Sequence, residues 1–200
     1  MGTKRPVTFR EMLAMLMTHV MYGRAHFAIA KGLIGANKTI IGAAPTFFAI
    51  TRDAHADLTV LTAARIFDRQ RGAVSIHALL SSALKQAGTF KYGTSAEVRK
   101  AVEEANVRVK KLEAILAAIT TRRNQTMAHM DPSAIVDSEE YLRGGLVSYR
   151  QIDGLFDETE LILNRFSRLF RGDSIPLYFA DADDYKQALY LIAQAQKALQ

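Results

Sequence analysis

Val98, Val102, Ala105, Val109, Leu112, Leu116 and Ile119 recur at alternating spacings of four and three residues. That rhythm draws one continuous apolar stripe down a helix and is the clearest periodicity in the chain. Thr94-Ser95-Ala96-Glu97, just ahead of it, reads as a capping box. The pattern predicts a single helix from Thr94 to Asp131, because Pro132 disfavours helical geometry in the residue before it. Such a helix spans about 35 residues, or roughly 50 Å at 1.5 Å per residue. A stripe of that length must be buried against other helices.

The rest of the chain offers them. Thr8-Phe9-Arg10-Glu11 is another capping box, opening a helix that carries Met12, Leu13, Leu16, Val20, Met21 and Phe27 and stops near Gly32 to Gly35. A second helix begins around Pro45, a residue suited to a first turn, and runs to Arg71–Gly72. Ser75 caps a shorter one with Ile76, Leu79, Leu80 and Leu84. Ser148-Tyr149-Arg150-Gln151 opens a helix through Ile152, Phe156, Ile162, Phe166 and Leu169 that ends at Gly172. The last helix starts among Asp181, Asp183 and Asp184, whose charges suit its N-terminal dipole. No strand or hairpin signal and no internal repeat is present. The expected fold is all-α: one antiparallel bundle of about six helices over residues 1–200, with a short extra helix near residues 139–143. Its core spans 8–172, and a C-terminal helix at 181–200 packs on it.

Composition narrows the chemistry. The 200 residues include no cysteine, which removes thiol catalysis, disulfides, iron–sulfur clusters and Cys-ligated zinc. Residues 1–10 are basic but lead into no apolar h-region, and the uncharged stretch from Thr39 to Thr51 is far short of the roughly 20 residues of a membrane span. We read a cytoplasmic protein with no membrane partner. The net charge of +6 is uneven: residues 1–125 hold +11 and the remainder −5. That asymmetry implies an anionic partner, or two halves that attract each other or a second subunit.

Several clusters imitate functional sites. Gly32 to Thr39 resembles a P-loop at its ends, but Asn37 stands where the loop needs glycine and a helix precedes it where a strand should. Asp53, His55 and Asp57 form a DxHxD cluster in which the two carboxylates share a helix face and the histidine does not. His19 and His26 lie two turns apart, roughly 10 Å, too far to share one ion. No metal and no cofactor is called for.

Arg122-Arg123-Asn124-Gln125-Thr126-Met127-Ala128-His129 is different, because it closes the longest expected helix. The dipole at a helix C-terminus favours imidazolium, as does Asp131 two residues on, so His129 can both give and take a proton near neutral pH. Arginine supplies a permanently charged fork that matches phosphate. Arg122 and His129 are offset by about 20° round a helix and Arg123 by about 120°, so either arginine remains a candidate partner. Asn124 offers a hydrogen bond that orients a neighbour. With no carboxylate-rich cluster beside it, this set suits attack of an RNA 2′-hydroxyl on its own phosphate, with histidine moving protons and arginine stabilising the transition state. The plainer reading makes both arginines solvated surface residues and His129 a helix cap.

An arginine, a polar residue, four more residues and a histidine near a helix end resemble the Rx4-6H signature of the HEPN superfamily. In detail, Arg123-Asn124-(QTMA)-His129-Met130-Asp131 resembles the AbiU-like abortive-infection, or phage-resistance, branch. So do Ala64-Arg65-Ile66-Phe67-Asp68-Arg69 with Ser75-Ile76 and Leu79-Leu80, and the late Leu146-Val147-Ser148-Tyr149. The resemblance implies a helical bundle that forms a homodimer with its motifs meeting at the interface, and a metal-independent endoribonuclease acting on RNA. Carried over, Arg123 binds phosphate, Asn124 supports the site and His129 is the acid or base. Arg122, Arg65 and Arg69 extend the substrate-binding surface. An antitoxin or defence-system partner is implied as well. Asp131 stands where some HEPN groups carry a tyrosine. Two further readings stay open: Asp68 pairing with an arginine of the motif helix to fix the bundle, and a non-catalytic module that binds RNA or protein through Arg99, Lys100, Lys110 and Lys111.

Overall fold

The structure is a computed structural model that describes residues 5–124, 147–179 and 184–198. Helices form where local signals ask for them. Helix α1 covers Phe9–Ile34, α2 Lys38–Ala43, α3 Pro45–Ile66 and α4 Ile76–Lys85. A 3₁₀ turn at Ala87–Thr89 precedes α5 (Ser95–Lys111), α6 (Glu113–Arg122), α7 (Tyr149–Arg171) and α8 (Asp184–Ala198). No strand occurs among the described residues, and the fold is all-α. All three capping boxes close reciprocally: Thr8 with Glu11, Thr94 with Glu97, and Ser148 with Gln151. Gly172 ends α7 in the left-handed conformation at φ 90°, where a side chain would be strained.

Three boundaries depart from expectation. The long striped helix is broken at Leu112, which bonds back three residues to the Val109 carbonyl at 3.0 Å before α winding resumes. A stripe averaging 3.5 residues per repeat slips about 20° per heptad round a straight helix. A turn of 3₁₀ winding advances 120° per residue instead of 100°, which restores the phase and keeps Val98, Val109, Leu112 and Ile119 all buried. Second, α3 ends at Ile66 and not at Gly72. The Asp68 carboxylate accepts the Gln70 amide at 2.8 Å, a local bond that competes with helix continuation. Third, the short helix α2 was not expected. Asn37, the misfit in the P-loop lookalike, is its N-cap, with Oδ1 accepting from the Thr39 amide at 2.8 Å. The segment around 139–143 lies outside the described residues.

One apolar core joins α1, α3, α4, α5, α6 and α7. Phe9, Leu16, Ile66, Leu79, Ile119, Phe156 and Phe166 are fully enclosed in it. Helix α1 lies along α3 and α7, and Gly23 allows the α1–α7 approach: a Cβ there would sit 2.5 Å from the Phe156 ring. Helix α8 adds no buried residue to this core; its Tyr185 lies over Gly32 of α1.

Charge asymmetry is partly spent inside the molecule. Acids of α7 meet cations of the basic part, with Arg24 bonded to Asp157 and Glu160 at 2.8 and 2.9 Å, Lys31 to Asp153 at 3.2 Å, and Arg108 to Glu158 at 2.6 Å. These pairs set α7 antiparallel to α1, since ascending numbers on one meet descending numbers on the other. Among the described residues no helix is long and apolar enough to cross a membrane.

Candidate functional site

Arg122, Arg123 and Asn124 stand where α6 ends, and the chain passes through a wider π-type turn at Arg123 and Asn124. Such turns re-aim side chains and recur at functional positions. The two arginines, about 100° apart round the helix, go to different sides. Arg122 donates from Nη2 to Asp57 Oδ1 of α3 at 3.3 Å. It borders a cavity of about 440 Å³ together with Phe27, Arg52, Asp53 and Tyr149.

Arg123 turns the other way, onto a cleft of about 620 Å³ between α6 and the chain leaving α3. Phe67, Asp68, Arg69, Glu113 and Leu116 line it as well. The Nε of Arg123 donates to Asn124 Oδ1 at 3.0 Å, so one edge of the guanidinium is fixed by its neighbour. Arg69 faces Glu113 across 4.0 Å, both well exposed. The cleft therefore sets two guanidinium groups and two carboxylates over an apolar floor of Ala64, Phe67 and Leu116. That combination can hold a phosphate between the cations, while the carboxylates limit how much negative charge accumulates.

The structure thus brings Arg69 and Arg123 together and places Arg122 apart. Arg65, one turn before Arg69 in the expected helix, does not join them: α3 ends between the two, and Arg65 lies near His19, whose pKa its charge helps to lower after burial. His129 and Asp131 lie outside the described residues. Asp68 is not the carboxylate that ties down the motif helix. Asp57 takes that role, and Asp68 is spent on its own turn.

The DxHxD cluster is dispersed by its partners. Asp53 accepts from Arg52 Nε at 2.8 Å, Asp57 pairs with Arg122, and His55 Nδ1 lies 2.8 Å from His26 Nδ1 of α1. Among the described residues no three His, Asp or Glu side chains are placed to hold a metal ion. Burial lowers the pKa of both His26 and His55, and the charge of His55 adds to the effect on His26. Nothing in the sequence marks this pair, because 29 residues separate its members and only the packing of α1 on α3 joins them. Glu113 was missed for a similar reason: in the middle of the expected long helix it reads as an ordinary solvated acid until the cleft is assembled.

The family model HEPN_AbiU2, described as AbiU2, matches residues 37–191, well over half of the chain. That span takes in the cleft, Arg123, Asn124 and His129. No curated protein and no solved structure matches the chain.

Proposed function

Because the chain belongs to the AbiU2 family of HEPN domains, we propose that it is a metal-independent endoribonuclease whose active unit is a homodimer, serving as a toxin or phage-defence effector. The observation that carries this reading is the placement of Arg123: held by Asn124, it borders an open cleft with Arg69, at the exit of α6 and six positions before His129.

In this reading the scissile phosphate sits against Arg123, whose planar fork matches two of its oxygens. The substrate's 2′-hydroxyl loses its proton and its oxygen bonds to the adjacent phosphorus. The bond from phosphorus to the 5′-oxygen breaks, and the departing oxygen takes a proton. His129 supplies one or both of these proton transfers, and a second copy of the motif across the dimer interface supplies what one histidine cannot. Arg123 gains most when negative charge builds on the phosphorane-like transition state, so it favours that state over the bound substrate. The products are a 2′,3′-cyclic phosphate and a 5′-hydroxyl. DNA has no nucleophile for this chemistry. Arg69 binds substrate without touching the reacting atoms, whereas Arg65 and Arg122, which do not line the cleft, would reach only RNA that extends beyond it. An antitoxin or defence partner holds the activity in check.

The test is cleavage of a labelled RNA pool in EDTA by wild type, His129→Ala and Arg123→Ala. Cyclic-phosphate ends produced by wild type alone support the reading. Cleavage that survives His129→Ala, or that EDTA abolishes, overturns it. The alternative is a non-catalytic helical module that binds RNA or protein, favoured by the exposure of Arg99, Lys100, Lys110 and Lys111 along α5. It expects charge reversals there to weaken binding and loss of His129 to change nothing.

A further inference from the structure

Arg123 closes α6, whereas the opposite end of the same striped run, roughly 40 Å away at 1.5 Å per residue, carries a different constellation. There Arg10, Lys91, Tyr92, Phe170, Arg171 and Asp173 line a notch of about 480 Å³. Three cations face one carboxylate. Arg171 is bonded to that carboxylate, with Nε 3.0 Å from Asp173 Oδ1, whereas Arg10 and Lys91 form no ion pair among the described residues.

The aromatic part is held in place. The Tyr92 amide donates to the Leu169 carbonyl at 3.0 Å, and its ring lies against Gly172, where an added Cβ would come within 3.0 Å of it. Lys91 Nζ sits over the ring, 5.1 Å from its centroid. Tyr92 is 51% exposed on a fixed backbone, and what lies over its ring is the flexible head of Lys91. Beside it, Phe170 is anchored by Phe9 and Phe90 at centroid distances of 5.0 and 5.4 Å.

An exposed aromatic ring on a fixed backbone, beside cations without carboxylate partners, is the combination that single-stranded nucleic acids use: a base stacks on the ring in place of the lysine head, and its phosphates meet the cations. We propose that this notch is a second, non-catalytic RNA contact, taking one nucleotide of a single strand with its base on Tyr92 and its phosphate between Arg10 and Lys91. It rests on the reading of the chain as an RNA-directed protein and adds where the substrate is gripped away from the cut. An acidic peptide would use the cations alone and be indifferent to the ring.

The test is fluorescence anisotropy of a labelled single-stranded 12-nucleotide 2′-O-methyl RNA, which has no free 2′-hydroxyl and cannot be cut by that reaction, with the full chain at several salt concentrations. Wild type is compared with Tyr92→Ala, Tyr92→Phe, Arg10→Glu and the double variant Arg10→Glu/Lys91→Glu, each checked by thermal melting. Tyr92→Ala and the double variant should each weaken binding about tenfold, and Tyr92→Phe less than twofold, since stacking needs the ring and not the hydroxyl. The double variant should also flatten the salt dependence, by about 0.7 in log–log slope for each phosphate it no longer neutralises. If wild type binds and cuts RNA while these variants match it, the notch is overturned and the ribonuclease reading stands. If wild type neither binds nor cuts RNA, both fall. Labelled polyglutamate bound equally by wild type and Tyr92→Ala, with RNA binding unaffected by either change, would make the notch a protein-docking site and overturn the proposal.

Discussion

Arg122 Nη2 lies 3.3 Å from Asp57 Oδ1, tying the last turn of α6 to the middle of α3. The pair is a sequence separation of 65 residues closed by packing, and it decides which of two adjacent arginines faces the cleft. With Arg122 turned to Asp57, helix geometry sends Arg123 to a different side, about 100° away, where Arg69 and Glu113 stand.

Arg123→Ala should reduce RNA cleavage by about 10²–10³, the range seen when one transition-state donor is removed. Arg123→Lys should recover only part of this, because a point charge replaces a fork. Asp57→Asn should cost much less in activity and no more than about 1 kcal/mol in stability, as both partners are partly exposed. Single-turnover cleavage rates and urea melts separate the two effects. Equal rate losses at Asp57 and Arg123 would reject the assignment.

Acid should weaken the fold in the histidine range. Burial lowers the pKa of His19, His26, His55 and His77, first of all causes in each case. The folded chain then binds fewer protons than the unfolded one between the lowered values and the ordinary value of about 6.5. Stability is complete above that ordinary value and declines as pH falls through it, levelling below the folded values. His26 and His55 add a second reason: an Nδ1–Nδ1 hydrogen bond of 2.8 Å needs one bare nitrogen, which two imidazolium rings cannot offer. Melts at pH 7.5 and 5.5 should show a drop, and His55→Gln should make that drop smaller. Glu11, held near a pKa of about 2 by hydrogen bonds from Arg5 and Thr8, matters only at far lower pH.

Two glycines on neighbouring helices should respond with opposite signs. Gly23→Ala pushes a methyl group into the Phe156 ring and should destabilise by about 1–3 kcal/mol. Gly154→Ala on α7 meets nothing within 4 Å and should stabilise by about 0.5–1 kcal/mol through helix propensity. Chemical denaturation of the pair provides the comparison. A Gly23→Ala chain as stable as wild type would mean that α1 and α7 are not packed this closely.

Removing the Thr94 hydroxyl should uncap α5. Thr94 Oγ1 accepts the Glu97 amide at 3.2 Å, and the Glu97 carboxylate accepts the Thr94 amide at 2.7 Å. Thr94→Ala should cost about 1 kcal/mol, whereas Thr94→Ser should cost little. Equal loss from both would point to the methyl group and not the cap.

Helix starts were legible because a capping box is satisfied within three residues. Thr8, Thr94 and Ser148 each bond the amide three positions on, whatever the rest of the chain does. The buried face of α5 was legible for a like reason, since a stripe at helical spacing can have only one dry side. Less visible was the break at Leu112. The stripe continues through it unbroken in the sequence, and the tighter turn answers a phase slip that matters only against a packed core.

The candidate site divides along the same line. The sequence by itself determined an all-α chain, the arginine–asparagine pair near the end of the striped run, and the hydrogen bond that Asn124 offers a neighbour, all local properties of the chain. Only the tertiary structure decided that Arg122 belongs to Asp57, that Arg69 joins Arg123 while Arg65 does not, and that Tyr92 shares a notch with Arg10. Those are choices between side chains of equal chemistry, and they turn on which helix faces meet. Meeting faces are selected by burial of the whole core, a sum over many distant residues that no short stretch of sequence contains.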